Sequence, residues 1–242
     1  MSPWMHNAMY QALGLEYEYV AIRVPIVDFA PAIDRLKALG YRGVNVTVPL
    51  KTVARDWCLE FDGPARSANT LDLEKRRGTN TDAPAFLKTL AAFSEGKRAL
   101  ILGAGGTAAA LIPALVRAGY QVSAWNRTEG RLKGVVQDLG LAHLVSVEPI
   151  PCAVGFDVVI NTTSAGLGGQ SPPVLWAGST AAAYDVGYQK DGLTPFLSQA
   201  AAHGARTQDG KAMLVEQGAL AFEWWTGHNA LRNAMTEALS CP

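Results

Sequence analysis

Cysteine is scarce: Cys58, Cys152 and Cys241 are the whole complement of a 242-residue chain. Scattered and odd in number, they offer neither a disulfide framework nor metal-ligand spacing, and they fit a reducing, cytoplasmic setting. Histidine is equally thin. His6, His143, His203 and His228 are dispersed, so no metal site is expected. An excess of one charge is missing too, because 21 basic residues cancel 21 acidic ones. That balance excludes a broad field for nucleic acid or an anionic membrane. No apolar run approaches the length of a membrane span, and the first residues do not read as a signal peptide. Internal repeats and low-complexity blocks are absent from the sequence.

What is present is apolar and periodic. Hydrophobic residues make up 49% of the chain and charged ones 17%, enough to bury a core in one large or two small domains. Helices are expected over 2–13 (Ser2 as cap, Pro3 in the first turn), 27–39, 50–59, 82–92, 106–118, 193–203, 213–227 and 229–239. Strands are expected over 17–24, 43–48, 68–73, 99–102, 121–125, 157–161 and 181–186, with 75–79 a polar hairpin-like connection. Strands alternating with helices predict parallel sheets and an α/β fold. The natural cut falls near 82–97.

Residues 99–128 read as one device. An apolar strand runs into Gly103-Ala104-Gly105-Gly106-Thr107-Ala108, a helix follows, and a second strand ends in Asn126-Arg127-Thr128. Gly103 permits the tight turn, Gly105 lets backbone approach a pyrophosphate, and Ala108 lets helix and strand pack closely. The pyrophosphate would sit on the exposed N–H groups of the helix starting near Gly106. A site for NAD usually presents an acid at the tip of the second strand, to hold the ribose 2′-hydroxyl. Here that tip carries Arg127, with Arg131 one turn on. A guanidinium fork suits a 2′-phosphate, so the expected cofactor is NADP.

In the first half the sharpest segment is Asn45-Val-Thr47-Val-Pro49-Leu-Lys51. Asn45 and Thr47 share a strand face. Lys51 falls in a first helical turn, where the helix field works against its charge and equips the amine for acid–base work. Such a broken local rule tends to mark function, although a solvated lysine is the plain alternative. Asp82, in Asn80-Thr81-Asp82, can cap the following helix, partner Lys51, or do both.

These segments belong to a longer ordered series. Ser2-Pro-x-Met5-His6-Asn7, Asn45-Val-Thr-x-Pro-x-Lys51, Ala68-Asn69-Thr70 and Asn80-Thr81-Asp82 are followed by Gly103-Ala-Gly-Gly106 and Asn126-Arg127-Thr128. Asn161-Thr-Thr-Ser-x-Gly166, Tyr184-Asp185-x-x-Tyr188 and Met213-Leu-Val-x-Gln217-Gly-Ala-x-Ala-Phe222 complete it. Taken together the series resembles the shikimate dehydrogenase family over essentially the whole chain. The resemblance implies an N-terminal α/β substrate domain over 1–84, completed by helices within 215–242, and a Rossmann-like NADP-binding domain over 85–214. A cleft would separate the two. It implies NADPH-dependent, reversible reduction of 3-dehydroshikimate to shikimate, in aromatic amino-acid biosynthesis.

By the same resemblance Lys51 and Asp82 form the catalytic pair. Ser2, Thr47, Asn69, Tyr188 and Gln217 hold substrate carboxylate or hydroxyls, and Asn45 shapes the same pocket. Cofactor contacts fall to Gly103, Ala104, Gly105, Gly106, Thr107, Ala108, Asn126, Arg127, Thr128, Arg131, Thr162, Gly210 and Met213. The expected partners are a small-molecule substrate and at most a second copy of the chain, as monomer or homodimer. The family opens with a strand, a Gly-x-Pro turn and a serine pair, whereas this chain starts at Met1-Ser2-Pro3. The resemblance therefore sets an expectation of an incomplete first sheet, one fewer carboxylate ligand, and greater stability in an N-terminally extended form. Rival readings are a quinate/shikimate dehydrogenase of broader specificity and a non-catalytic NADP-binding homologue. A folate-linked methylene dehydrogenase does not suit the Asn45–Lys51 and Asn80–Asp82 motifs.

Overall fold

The computed structural model describes residues 1–240, so Cys241 and the end of the expected 215–242 segment lie outside the described residues. Two compact units divide the chain. The first holds Met1–Ala85 and the chain from Leu214 onward; the second holds Phe86–Met213.

The first unit begins with α1 (Ser2–Ala12) and α2 (Phe29–Ala38). It continues through β1 (Gly43–Asn45), α3 (Lys51–Trp57), β2 (Glu60–Asp62), β3 (Thr70–Asp72), β4 (Arg77–Thr79) and the start of α4 (Asp82–Phe93). Ser2 is the first helical residue rather than the cap, a place taken by Met1 without a side-chain bond. Among the described residues the sheet runs β1-β3-β4-β2. It is mixed, not parallel as expected: β1–β3 and β3–β4 are antiparallel, and only β2–β4 is parallel. The cause is local. Asp72 Oδ1 accepts from the amides of Glu74 and Lys75 at 3.0 and 2.9 Å, and Arg76 takes φ 51°, closing a tight hairpin between β3 and β4. Three of the five residues read as a connection, 77–79, are thus strand β4.

Residues 17–24 make no ladder, so the strand expected there is not one. They run past β1, the edge strand of the described sheet. Val20, Ile22 and Val24 line an apolar groove with Phe29, Ile33, Val44 and Val46. β1 itself stops at Asn45 rather than Val48, with the Val46 amide still donating to the Asn69 carbonyl at 2.8 Å. Beneath the sheet Leu71, Leu73 and Ala54 are fully buried with Phe29 and Ile33.

The second unit carries β5 (Arg98–Leu102), α5 (Gly106–Arg117), β6 (Gln121–Trp125), α6 (Glu129–Asp138), β7 (Val145–Val147) and β8 (Val158–Asn161). Then come β9 (Ala182–Asp185), α7 (Pro195–Ala202) and β10 (Thr207–Gln208). Its strands, ordered β10-β9-β8-β5-β6-β7, are all parallel. Leu100, Ile101, Leu102, Val158, Val159 and Ile160 are fully buried, as a sheet covered on both faces requires. The chain moves outward from β5 through β6 to β7, then returns to β8 on the other side of β5. That reversal is the switch point at which doubly wound sheets bind dinucleotides.

The chain re-enters the first unit within α8 (Lys211–Thr226) and ends in α9 (Arg232–Ser240). Trp225 of α8 donates to the Leu71 carbonyl at 2.9 Å and lies where a Cβ on Gly43 would stand. Trp224 donates to Asp62 at 2.8 Å. The paired tryptophans therefore anchor α8 to this unit's sheet.

Candidate active site

Lys51 and Asp82 each open a helix, α3 and α4. At a helix start the carboxylate is favoured by the helix dipole and the ammonium is not, so pairing offsets the lysine's position. Their side chains meet at 2.6 Å, Lys51 Nζ donating to Asp82 Oδ2, with both groups partly exposed. The other carboxylate oxygen, Oδ1, accepts from Asn69 Nδ2 at 2.9 Å.

Asn69 is a hub. Its Nδ2 also reaches Thr81 Oγ1 at 3.0 Å, while its Oδ1 accepts from the Thr81 amide and the Thr70 hydroxyl, both at 2.9 Å. Asn45 donates to the Asn69 carbonyl at 3.2 Å and to Thr70 Oγ1 at 3.0 Å. Thr81 in turn donates to the Gln217 carbonyl at 3.0 Å, tying α8 to this cluster. The fold thus brings together Lys51, Asp82, Asn69 and Asn45, with the backbone of Gln217. Gln217's own amide is folded onto the Leu214 carbonyl at 2.9 Å. Thr47 is exposed beside Asn45 and Ser2 is half-buried in α1. Neither hydroxyl has a hydrogen-bond partner among the described residues.

In the second unit the expected coenzyme residues gather at the switch point. Gly103 takes φ 117°, which favours glycine, and a Cβ there would stand 2.7 Å from Thr162 Oγ1. Thr162 donates to the Leu102 carbonyl at 2.7 Å, pinning the loop after β8 to the end of β5. Gly105 caps α5, and at Gly105 and Gly106 a Cβ would meet nothing within 4 Å. That open space, at a helix start with free N–H groups, fits a pyrophosphate. Ala104 and Ala108 are buried against the sheet, with Thr107 between them only partly so.

Asn126 Nδ2 donates to the Thr128 carbonyl at 2.9 Å and shapes the turn at the tip of β6. Arg127 and Arg131 stand exposed there, without an ion-pair partner among the described residues. Farther along, Gly210 donates to the Gly187 carbonyl at 3.0 Å, and a Cβ on Gly210 would overlap the Val186 carbonyl. Met213 follows in the first turn of α8. Tyr188 is 38% exposed; burial and the nearby Asp209 carboxylate push its phenol up from its ordinary range.

One organising group stands in the motif series but was given no role there. Asp185 accepts from the Thr194 hydroxyl at 2.6 Å, the Gly187 amide at 2.9 Å and Asn161 Nδ2 at 3.1 Å. Asn161 Oδ1 in turn accepts from the Thr163 amide and hydroxyl at 3.0 and 2.7 Å. This pair fixes the loops leaving β8 and β9. Burial pushes the Asp185 carboxyl up against those hydrogen bonds. The available signal was two polar residues ending otherwise apolar strands. Cys58 and Cys152 are free thiols, and no group of three His, Cys, Asp or Glu gathers among the described residues to hold a metal ion. No helix among them is long and apolar enough to cross a membrane.

A doubly wound dinucleotide-type unit and a second α/β unit with a lysine–aspartate pair define a class, the two-unit nicotinamide-dependent dehydrogenases. Similarity to known proteins narrows it. Residues 1–72 match the family model for the shikimate dehydrogenase substrate binding domain, 87–167 that for shikimate / quinate 5-dehydrogenase, and 212–239 that for the shikimate 5'-dehydrogenase C-terminal domain. A shikimate dehydrogenase (NADP(+)) of Carboxydothermus hydrogenoformans is 36% identical over 262 aligned positions, taking in all of this chain and 93% of the relative. The shikimate 5-dehydrogenase of Thermus thermophilus, solved in complex with NADP(H) and shikimate, superposes with a TM-score of 0.88 at 34% identity, over 98% of this chain and 93% of that one. A 5-ketofructose reductase from Gluconobacter superposes at 0.84 with 29% identity, over 98% and 92%. The chain belongs to the shikimate dehydrogenase family.

Proposed function

We propose that this protein catalyses the reversible, NADPH-dependent reduction of 3-dehydroshikimate to shikimate. The observation that carries the reading is the Lys51–Asp82 contact at 2.6 Å, in the unit whose residues 1–72 match the substrate-binding family model. Bound NADPH would supply the hydride. Lys51, as ammonium, faces the alkoxide that forms, stabilises it and donates the proton that completes the alcohol. Asp82 holds Lys51 in place, and Asn69 holds Asp82 from behind. Thr47, Ser2, Gln217 and Tyr188 supply hydroxyl and amide groups for the substrate's carboxylate and hydroxyls, while Asn69, whose two amide protons go to Thr81 and Asp82, serves by holding Asp82. The turn from Gly103 to Ala108, with Thr162, Gly210 and Met213, would cradle the coenzyme. Asn126, Arg127, Thr128 and Arg131 would take its 2′-phosphate.

The test is a steady-state assay of the purified chain with shikimate or quinate, each with NADP or NAD, reading absorbance of the reduced coenzyme. The expected result is a kcat/KM highest for shikimate with NADP. A preference for quinate would move the chain to the broader-specificity dehydrogenases, and coenzyme binding without turnover would leave a non-catalytic homologue. A sugar ketone, 5-ketofructose, belongs in the same panel because the Gluconobacter reductase shares the fold.

A further inference from the structure

We propose that Tyr19 is a positioning residue for the Lys51–Asp82 pair, acting through Asn45 and Asn69. The inference rests on the acid–base reading above. The Tyr19 hydroxyl donates to Asn45 Oδ1 at 3.0 Å. Both protons of Asn45 Nδ2 are used as well, on the Asn69 carbonyl at 3.2 Å and Thr70 Oγ1 at 3.0 Å. A primary amide has two donors, so Asn45 has none left for a ligand. Its amide is a strut between Tyr19 and the start of β3, where Asn69 leads into Thr70. The phenol sets which way that strut points: a donor on Oδ1 turns Nδ2 toward the Asn69 carbonyl. Without it the amide can turn over and set oxygen against oxygen. Asn69, whose carbonyl takes the Val46 amide at 2.8 Å as well as the Asn45 amide, presents Nδ2 to Asp82 Oδ1 at 2.9 Å, and Asp82 Oδ2 holds Lys51 at 2.6 Å.

Tyr19 is itself over-determined. Its segment has no ladder partners, so side chains must place it. Asn7 donates to the Tyr19 carbonyl at 2.9 Å and accepts from its amide at 2.7 Å. The Tyr19 ring stacks on His6, with centroids 4.3 Å apart and planes 5° from parallel. His6 is fully buried, and neither of its ring nitrogens has a hydrogen-bond partner among the described residues. Its role here is a flat neutral face. These contacts fix one hydroxyl at one place, more than packing alone would ask.

Tyr19→Phe keeps the ring, the stack and the Asn7 clamp, and removes only the donor. Wild type, Tyr19→Phe, Asn45→Ala and the double variant are compared for kcat with shikimate, KM for NADP and melting temperature. The expected result is a kcat lower by about fivefold, the effect of losing one hydrogen bond, with KM for NADP unchanged. In the Asn45→Ala background the same change should cost nothing more. An unchanged kcat at 25 °C with a lower melting temperature would reduce Tyr19 to packing, and a second fivefold loss in the double variant would refute the route through Asn45. Should the wild type fail to oxidise shikimate, the functional reading falls, and this inference is still read by NMR. The ¹³C resonance of reductively methylated Lys51, assigned with Lys51→Arg, should move in Tyr19→Phe; an unmoved resonance overturns it.

Discussion

Lys51 in the first unit and Arg127 in the second are both cations at the N-terminal end of a helix, where the dipole disfavours them. The fold treats them differently. Lys51 is met by Asp82 at 2.6 Å, and Asp82 is held from behind by Asn69. Arg127 stands exposed, and the nearest acid in sequence, Glu129, is engaged by Lys133 at 2.5 Å. A proton donor needs its geometry fixed before the reaction, so a partnered ammonium suits that work. An anion site needs a charge that is still available, so an unpartnered guanidinium suits a 2′-phosphate. His6 marks a third condition, a buried ring with no hydrogen-bond partner among the described residues.

Each arrangement can be undone by a single substitution. Asp82→Asn removes the charge that holds Lys51 and keeps the shape. It should lower kcat by about 10²–10³-fold, within the range for general acid–base groups. Steady-state turnover with shikimate checks it, and a loss under threefold would mean that Lys51 needs no partner. His6 bears on stability. Burial holds its imidazole down to about 4, against an ordinary value of 6.5. The unfolded chain therefore binds the extra proton between those values, so stability is lost as pH falls through that window, by up to about 3 kcal/mol. His6→Gln should remove that loss. Urea unfolding at pH 7.5 and 4.5 reads it as a wild-type advantage that shrinks on acidification; a constant difference would contradict a neutral, buried His6. Arg127→Ala should raise KM for NADPH by about tenfold and leave KM for NADH nearly unchanged, as loss of a charge-assisted contact predicts. Equal effects on both coenzymes would remove Arg127 from 2′-phosphate recognition.

Local chemistry made some of this legible from sequence and long-range pairing hid the rest. The turn from Gly103 to Ala108 could be read because its apolar strand, glycines and helix are contiguous. Even the start of α5 at Gly106 follows from that pattern. Strands β2, β7 and β10 were not anticipated, since each spans three residues or fewer and exists through its neighbours. Helix α6 was missed because its apolar stripe is thin, with Leu132 and Val136 its buried residues. Residues 17–24 erred the other way: their alternation reads as a strand, but a strand needs a partner to pair with. Lys51 and Asp82 are 31 positions apart, and no spacing rule joins them. Their pairing was expected from the family's motifs, as was a place for Asn45 around the substrate, where the structure has its amide donors fully used within the protein.

The most direct test of the account is Lys51→Ala, measured twice on the same preparation: turnover with shikimate and NADP, and NADPH affinity by fluorescence. kcat should fall by about 10³-fold with NADPH affinity within twofold of wild type, since the amine handles the proton and takes no part in holding the coenzyme. Near-wild-type turnover, or parallel loss of turnover and coenzyme binding, would contradict it.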